Sequence, residues 1–164
     1  MTNNFKFEPD MSAKIIYISR EFNAPVGKVW KAFTEPDLIE KWIAPKPWVV
    51  KTKIMDFTVG GIWLYAMISP EGQKHWSYAE FTTIEIGSAI ASTNMFSDED
   101  GKTAANGPKS HTTTKFSSID GYKTKVDVTK TFTDEATVKM FVEMGFKEGT
   151  IMGYNQLDEL MASD

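Results

Sequence analysis

The side chains best suited to acid–base chemistry lie close together in one stretch, which runs from His75 to Glu80. A histidine and a carboxylate can act as general acid and base when they lie within hydrogen-bond reach and their pKa values are tuned near neutral pH. Spacing alone shows neither condition. If Glu80 points inward, it needs a partner or a polar ligand group; if it points outward, it is solvated. The sequence therefore assigns no catalytic residue and leaves His75 and Glu80 as candidates.

Several other chemistries lack the residues that they need. The chain has no cysteine, which excludes disulfides, thiolate zinc sites and a cysteine nucleophile. Its only two histidines are His75 and His111, so a multi-histidine metal site is not expected. The sequence contains no Walker A loop, no G-x-G-x-x-G, no H-E-x-x-H and no serine nucleophile elbow. We therefore expect neither a metal nor a cofactor.

Charge and hydropathy narrow the class of protein further. The 164 residues include 18 Lys and Arg against 22 Asp and Glu, which argues against nucleic acid as a partner. No apolar run reaches the roughly 18 residues of a membrane span. The first residues lack the apolar core of a signal peptide, so we expect a cytoplasmic protein. The length suits one domain, expected over 14–162, with 1–13 as a flexible N-terminal arm or an extra edge segment.

Hydrophobic periodicity predicts an α+β chain. A β-branched run over 15–22 indicates a first strand, and two short helices separated by Pro36 follow it. The period then changes to two, with turn residues between successive segments, and the last part of the chain is helical with a break near Gly145 and Gly149. Short connections favour antiparallel pairing. The six strands of period two are predicted at 48–57, 61–69, 74–85, 88–97, 109–117 and 121–132.

This order of elements predicts a cavity. A sheet of about seven antiparallel strands has one face to bury, and a single long helix is too narrow to cover it. The sheet should therefore curve around the C-terminal helix and leave space between them. Concave apolar space of this kind is the default ligand site in an uncharacterised domain.

Ordered motifs over most of residues 14–162 resemble one family. They begin with Arg20-Glu21-Phe22-Asn23-Ala24-Pro25 and continue through Asp56-Phe57-Thr58-Val59-Gly60-Gly61-Ile62-Trp63 to Gly153-Tyr154-Asn155-Gln156-Leu157. The set is similar to the Hsp90-ATPase-activator-homologue-like (AHSA1-like) family of the START/Bet v 1-like (SRPBCC) superfamily. The resemblance implies a helix-grip (Bet v 1/START-like) fold with a cavity between the sheet and the long helix. Members of the family include hydrophobic-ligand binders, cyclases and co-chaperone domains.

The cavity lining is predicted from the aromatic and methionine content, which includes five Trp and nine Met. Trp63, Tyr65 and Met67 alternate on one face of a strand, and plain core is the alternative interpretation. Either Trp76 and Tyr78 or the residues of opposite parity face inward on strand 74–85, because a bulge would exchange them. The predicted lining comprises Trp42, Trp48, Trp63, Tyr65, Met67, Trp76, Tyr78, Met144 and Tyr154. A tyrosine or Asn94 would orient the polar atoms of a ligand.

Two surface features allow more than one interpretation. Ile62, Leu64 and Ile68 would face away from the cavity, and such a stripe suggests a homodimer unless the facing of the strand is reversed. Lys123, Lys125 and Lys130 form a basic strand edge that either binds acids or protects the sheet from aggregation.

The sequence is compatible with three functions. The first is a carrier or sensor that binds a hydrophobic or aromatic small molecule in the cavity. The second is an enzyme of cyclase, aromatase or hydrolase type that uses the same cavity, with His75, Glu80 or a tyrosine meeting inside it. The third is a co-chaperone-like protein-interaction domain, which would need an exposed partner surface.

Overall fold

The computed structural model describes residues 4–163, which form one curved antiparallel sheet and four helices. The predicted α+β helix-grip fold is confirmed. In chain order the elements are β1 (Lys6–Asp10), β2 (Ile15–Phe22), α1 (Val26–Thr34), α2 (Pro36–Ile39), β3 (Val49–Met55), β4 (Ile62–Ile68), β5 (Lys74–Glu85), β6 (Ala89–Ser97), β7 (Lys109–Ile119), β8 (Lys123–Phe132), α3 (Glu135–Glu143) and α4 (Phe146–Ala162).

The sheet has eight strands in the order β1-β2-β8-β7-β6-β5-β4-β3, one more than the sequence suggests. The additional strand lies in segment 1–13, where β1 pairs antiparallel with β2 from Lys6↔Ser19 to Asp10↔Ile15. That part of the segment is therefore an edge strand and not a flexible arm, while residues 1–3 lie outside the described residues. The pattern was hard to detect because β1 has only five residues, is mostly exposed and includes Pro9.

One face of the sheet, called here the inner face, packs against the helices. On this face Ile16 and Val126 are fully buried. Val138 of α3 and Leu157 of α4, on the helices, are fully buried too. Phe22 meets Tyr154 edge-to-face, with ring centroids 5.3 Å apart. Trp30 of α1 meets Phe116 of β7 edge-to-face at 5.2 Å, so the core extends from β2, β8 and the C-terminal helices to α1.

The C-terminal helical segment breaks where the glycines suggest. Gly145 has φ of +90°, a conformation that is strained for a residue with a Cβ, and it separates α3 from α4. Further along α4, a Cβ at Gly153 would lie 3.2 Å from the Trp42 carbonyl oxygen. Gln156 donates hydrogen bonds to the same carbonyl and to that of Ala44, at 2.9 and 2.8 Å. The helix thus lies directly against the backbone that precedes β3.

A charged pair also joins α4 to the sheet. Arg20 of β2 is 5% exposed, and its guanidinium lies 3.1 Å from the Asp158 carboxylate. Because both groups are partly withdrawn from water, removing either partner would leave the other without compensation.

The outer face of β4 is covered within the chain. Leu64 is 1% exposed, and Gly101 from the long loop between β6 and β7 lies against Leu64 and Tyr78. Lys53 holds this loop by donating a 2.8 Å hydrogen bond to the Glu99 carbonyl. The apolar stripe that suggested a homodimer is therefore shielded at its centre by the protein's own loop, while Ile62 and Ile68 remain partly buried. Within residues 4–163, no helix is both long and apolar enough to span a membrane.

Candidate functional site

The helices leave part of the inner face accessible, and this region is called here the inner groove. Its floor is formed by side chains of β4 to β8 that are only partly buried. Strand register places all of them on the same face as the buried core residues Trp63 and Phe132. The residues that form the floor are Tyr65, Met67, Ser77, Asn94, Thr112 and Lys130.

One end of the inner groove is aromatic. The rings of Trp63 and Tyr65 stack with centroids 3.7 Å apart and an interplanar angle of 18°. The Trp63 indole donates a 3.0 Å hydrogen bond to Thr52 Oγ1, which fixes the stacked pair. Burial raises the pKa of the Tyr65 phenol, so this hydroxyl stays protonated and can donate a hydrogen bond at neutral pH. This end provides apolar surface with the hydroxyl groups of Tyr65 and Ser77 as polar atoms.

The other end of the inner groove carries a chain of hydrogen bonds. The Lys130 ammonium donates to Thr112 Oγ1 at 2.9 Å, and Thr112 donates to Asn94 Oδ1 at 2.7 Å. Ser92 also donates to Asn94 Oδ1, at 3.4 Å. The chain runs across three neighbouring strands, so the sheet itself fixes its geometry.

Lys130 lies in surroundings that penalise its charge. Burial lowers the pKa of its ammonium to about 8, and no nearby charge contributes to that shift. Lys130 Nζ lies 5.9 Å from the centroid of the Phe141 ring of α3, close enough for a weak cation–π attraction. Among the described residues, none forms a salt bridge with Lys130.

Several predicted lining residues lie together. Tyr65 and Met67 line the inner groove, and the stacked Trp63 packs against Tyr65. Trp48 lies at its rim, with its ring centroid 5.7 Å from that of His75. Trp42 and Tyr154 are buried in the core, at 4% and 6% exposure. The Trp42 indole donates a 2.8 Å hydrogen bond to the Ala32 carbonyl, and the rings of Trp42 and Tyr154 pack against each other. Burial also raises the pKa of Tyr154.

Three other predicted lining residues lie elsewhere. Trp76 and Tyr78 pair with Ala66 and Leu64 on the outer face, so the residues of opposite parity face inward on β5. Register with β4 decides this facing, and that register was not visible in the sequence. Met144, the residue that follows α3, is 61% exposed.

The two candidate catalytic residues do not meet. His75 pairs with Met67 and lies on the inner face, whereas Glu80 pairs with Ile62 and lies on the outer face. Both side chains are exposed. The sheet separates them, so His75 and Glu80 cannot act together as an acid–base pair.

Two further depressions lie outside the inner groove. One of about 430 Å³ lies between α4 and the segment before β3, and it shares only Trp48 with the predicted lining. The other, about 470 Å³, lies on the exposed side of α3 and includes Met144. In the part of the chain that the structure describes, no cluster of three or more His, Asp or Glu residues could hold a metal ion.

The sequence analysis included Asn94 as a ligand-orienting residue but did not place Lys130 on the same face, where Thr112 links the two. The signal was present, because Lys130 has the same parity as Val126, Val128 and Phe132 in a strand that alternates clearly. Grouping it with Lys123 and Lys125 as a basic edge was wrong, since those two lysines lie on the opposite face.

Comparison with known proteins places the chain in a defined group. A family model described as activator of Hsp90 ATPase homolog 1-like protein matches residues 23–162. The chain is similar to protein Ms6760 of Mycobacterium smegmatis, with 26% identity, a TM-score of 0.87 and 97% of each chain covered. It is also similar to a protein of Arthrobacter aurescens, with 30% identity, a TM-score of 0.87, and 96% of this chain and 91% of that chain covered. No curated protein sequence matches it.

Proposed function

The chain belongs to the activator of Hsp90 ATPase homolog 1-like family, and from this premise we propose that it binds a small molecule with an apolar or aromatic body in the inner groove. The family fold is of a ligand-binding type. The observation that carries the proposal is the partly accessible apolar surface of Tyr65 and Met67 beside the stacked Trp63.

The physical reason is the free energy of removing apolar surface from water. Burial stabilises a complex by roughly 25 cal/mol per Å² before the cost of association is subtracted. A planar ring placed against Tyr65 would gain stacking contacts in addition. The unbranched, polarisable side chain of Met67 would adapt to ligands of different outline.

A neutral fluorescent probe tests this proposal directly. N-phenyl-1-naphthylamine carries no charge, and we expect its emission to rise on binding while the fluorescence of Trp48 and Trp63 falls. The variant Ser77→Phe should weaken binding about 10-fold or more, because Ser77 is opposite Tyr65 and a phenyl group there would fill the inner groove.

Ser117→Phe provides the matched control, since Ser117 is exposed on the outer face of β7 opposite Lys125. It introduces the same ring without reaching the inner groove, so its affinity should equal that of the unmodified protein. Equal loss in both variants, or no probe binding by the unmodified protein, would contradict the proposal. Retained binding in Ser77→Phe would also contradict it.

A further inference from the structure

The inner face of the strands has an uneven charge distribution. Register places every acidic residue of β2 to β8 on the outer face, namely Glu21, Glu80, Glu85 and Asp127. Arg20 points inward, but its charge is balanced by Asp158. Lys130 therefore stands on the inner face as a cation without an acidic strand neighbour.

Among residues 4–163, no helical carboxylate forms a salt bridge with Lys130 either. Phe141 is the α3 side chain that lies over the Lys130 ammonium. On the same helix, Glu143 is exposed and lies 3.9 Å from the Lys139 ammonium. A cation in apolar surroundings without an anion is costly, so an ordinary core position would not keep a lysine here.

The hydrogen-bond chain has a fixed direction. An ammonium group can only donate, so Thr112 Oγ1 must accept from Lys130 and give its single hydrogen to Asn94. The Asn94 atom that faces Thr112 must then be the amide oxygen, which also accepts from Ser92. The Asn94 amide nitrogen is left as a donor at one end of this chain, and at the other end Lys130 has two N–H groups that it does not use on Thr112. The polar end of the inner groove is therefore rich in donors.

We propose that Lys130 and Asn94 form a binding point for an anionic group, so that the preferred ligand is an apolar or aromatic molecule that carries a carboxylate or an equivalent anion. This inference rests on the proposed function, because the apolar body of such a ligand would occupy the aromatic end. The anion would supply the acceptors and the counter-charge that the inner face lacks. Charge-assisted hydrogen bonds of this kind are among the stronger polar contacts.

Two probes with the same aromatic body separate the anionic contribution from the apolar one. 8-Anilinonaphthalene-1-sulfonate differs from neutral N-phenyl-1-naphthylamine only by its sulfonate. In Lys130→Gln the affinity for the sulfonate probe should fall about 10-fold or more, while the affinity for the neutral probe stays within about 2-fold. Lys130→Arg keeps the charge and should recover part of the loss.

Lys123→Gln is the matched control, because it removes the same charge from an exposed position on the outer face of the same strand. It should change neither affinity, and circular dichroism of each variant checks that the fold is intact. If Lys130→Gln misfolds, a competition experiment on the unmodified protein takes the place of that variant. It compares how well 2-naphthoate and 2-naphthamide displace the neutral probe. The naphthoate should then displace the probe at about 10-fold lower concentration.

The outcomes distinguish this inference from the proposed function. Equal weakening of both probes in Lys130→Gln, or equal displacement by naphthoate and naphthamide, overturns the anionic binding point and leaves the apolar site standing. Binding of the sulfonate probe that depends on Lys130, without binding of the neutral probe, supports the anionic point and overturns the apolar site. Sulfonate binding that Lys123→Gln weakens as much as Lys130→Gln overturns the assignment to Lys130.

Discussion

Lys130 occupies a position where an uncharged side chain would be easier to bury. Its neighbours on the inner face of β8, Val128 and Phe132, are both buried. The pKa of Lys130 is lowered to about 8 because burial makes its charged form less favourable. A residue kept in such a place at a cost in stability is a good candidate for function.

We therefore expect Lys130→Met to raise the free energy of unfolding by about 1 kcal/mol at pH 7, because it removes an unpaired charge while roughly conserving volume. The gain should shrink as the pH rises from about 8 toward 10.5, the pKa of Lys130 when unfolded. Between these values the unfolded chain binds more protons than the folded one, so the unmodified protein becomes more stable with rising pH.

Urea unfolding at pH 7 and pH 9.5 measures this difference, with Lys123→Met as the exposed control. A destabilised Lys130→Met at pH 7 would show that the lysine contributes to the stability of the fold. A gain that is independent of pH would show that its charge is not the cause.

The sequence predicts which face of a strand some side chains occupy, and it fails for others. Strict alternation places Trp63, Tyr65 and Met67 on one face, and the family resemblance implies that this face is the concave one. Alternation with Val128 and Phe132 could have placed Lys130 on the inner face in the same way. The facing of Trp76 could not be predicted, because aromatic rings stand at both parities of β5, with Trp76 and Tyr78 at one and His75 and Phe81 at the other. Contacts between strands decide such a case, and a single strand's pattern does not contain them.

Among the elements, the packing of α4 requires its backbone to approach the segment before β3 closely. Gly153 faces the Trp42 carbonyl, whereas a Cβ at Gly149 would meet only Pro45 Cγ at 4.0 Å, an ordinary contact distance. The two glycines lie one helical turn apart, so they form a matched pair.

We expect Gly149→Ala to stabilise the protein by about 0.5–1 kcal/mol, since alanine favours helix and no clash opposes it. Gly153→Ala should destabilise it by about 1 kcal/mol or more, because the Trp42 carbonyl also accepts from Gln156 and cannot easily move. Thermal unfolding of the two variants checks the opposite signs. A stabilised Gly153→Ala would mean that the helix shifts freely on the sheet.

The break between α3 and α4 was visible in the sequence, because glycine stands where a helix must end in a left-handed residue. Strand β1 was not, since a short exposed edge has too few apolar residues to show a period. The loop over Leu64 was equally hidden, because an apolar stripe covered by its own chain looks in the sequence like a stripe that awaits a partner.

For the whole molecule, the inner face is buried along β2 and beneath α1 and α4, and it is only partly buried at Tyr65, Met67, Ser77, Asn94 and Thr112 of β4 to β7. The order of elements was enough to predict this asymmetry, because one helix cannot cover a wide sheet. The chemistry of the uncovered part was not predicted, since it depends on which strands place Asn94, Thr112 and Lys130 side by side.

Because the sheet does not close on itself, its two outermost strands could recruit other chains by pairing edge to edge. Both carry features that oppose this. β1 has charged residues and Pro9, which offers no amide hydrogen, and β3 carries Lys51, Lys53 and a bulge between Thr52 and Ile54. Behind β1 lies β2, which is longer, free of proline and apolar over Ile15 to Ile18.

Removal of residues 1–10 should therefore turn a monodisperse protein into one that self-associates, because it uncovers the backbone of β2 from Ile15 to Ser19. Light scattering over hours at 37 °C should rise for this truncation and stay flat when only residues 1–3 are removed. Equal scattering by both would show that β1 does not shield the sheet. If only the longer truncation scatters, the first short strand acts less as a support for the fold than as a guard against fibrous assembly.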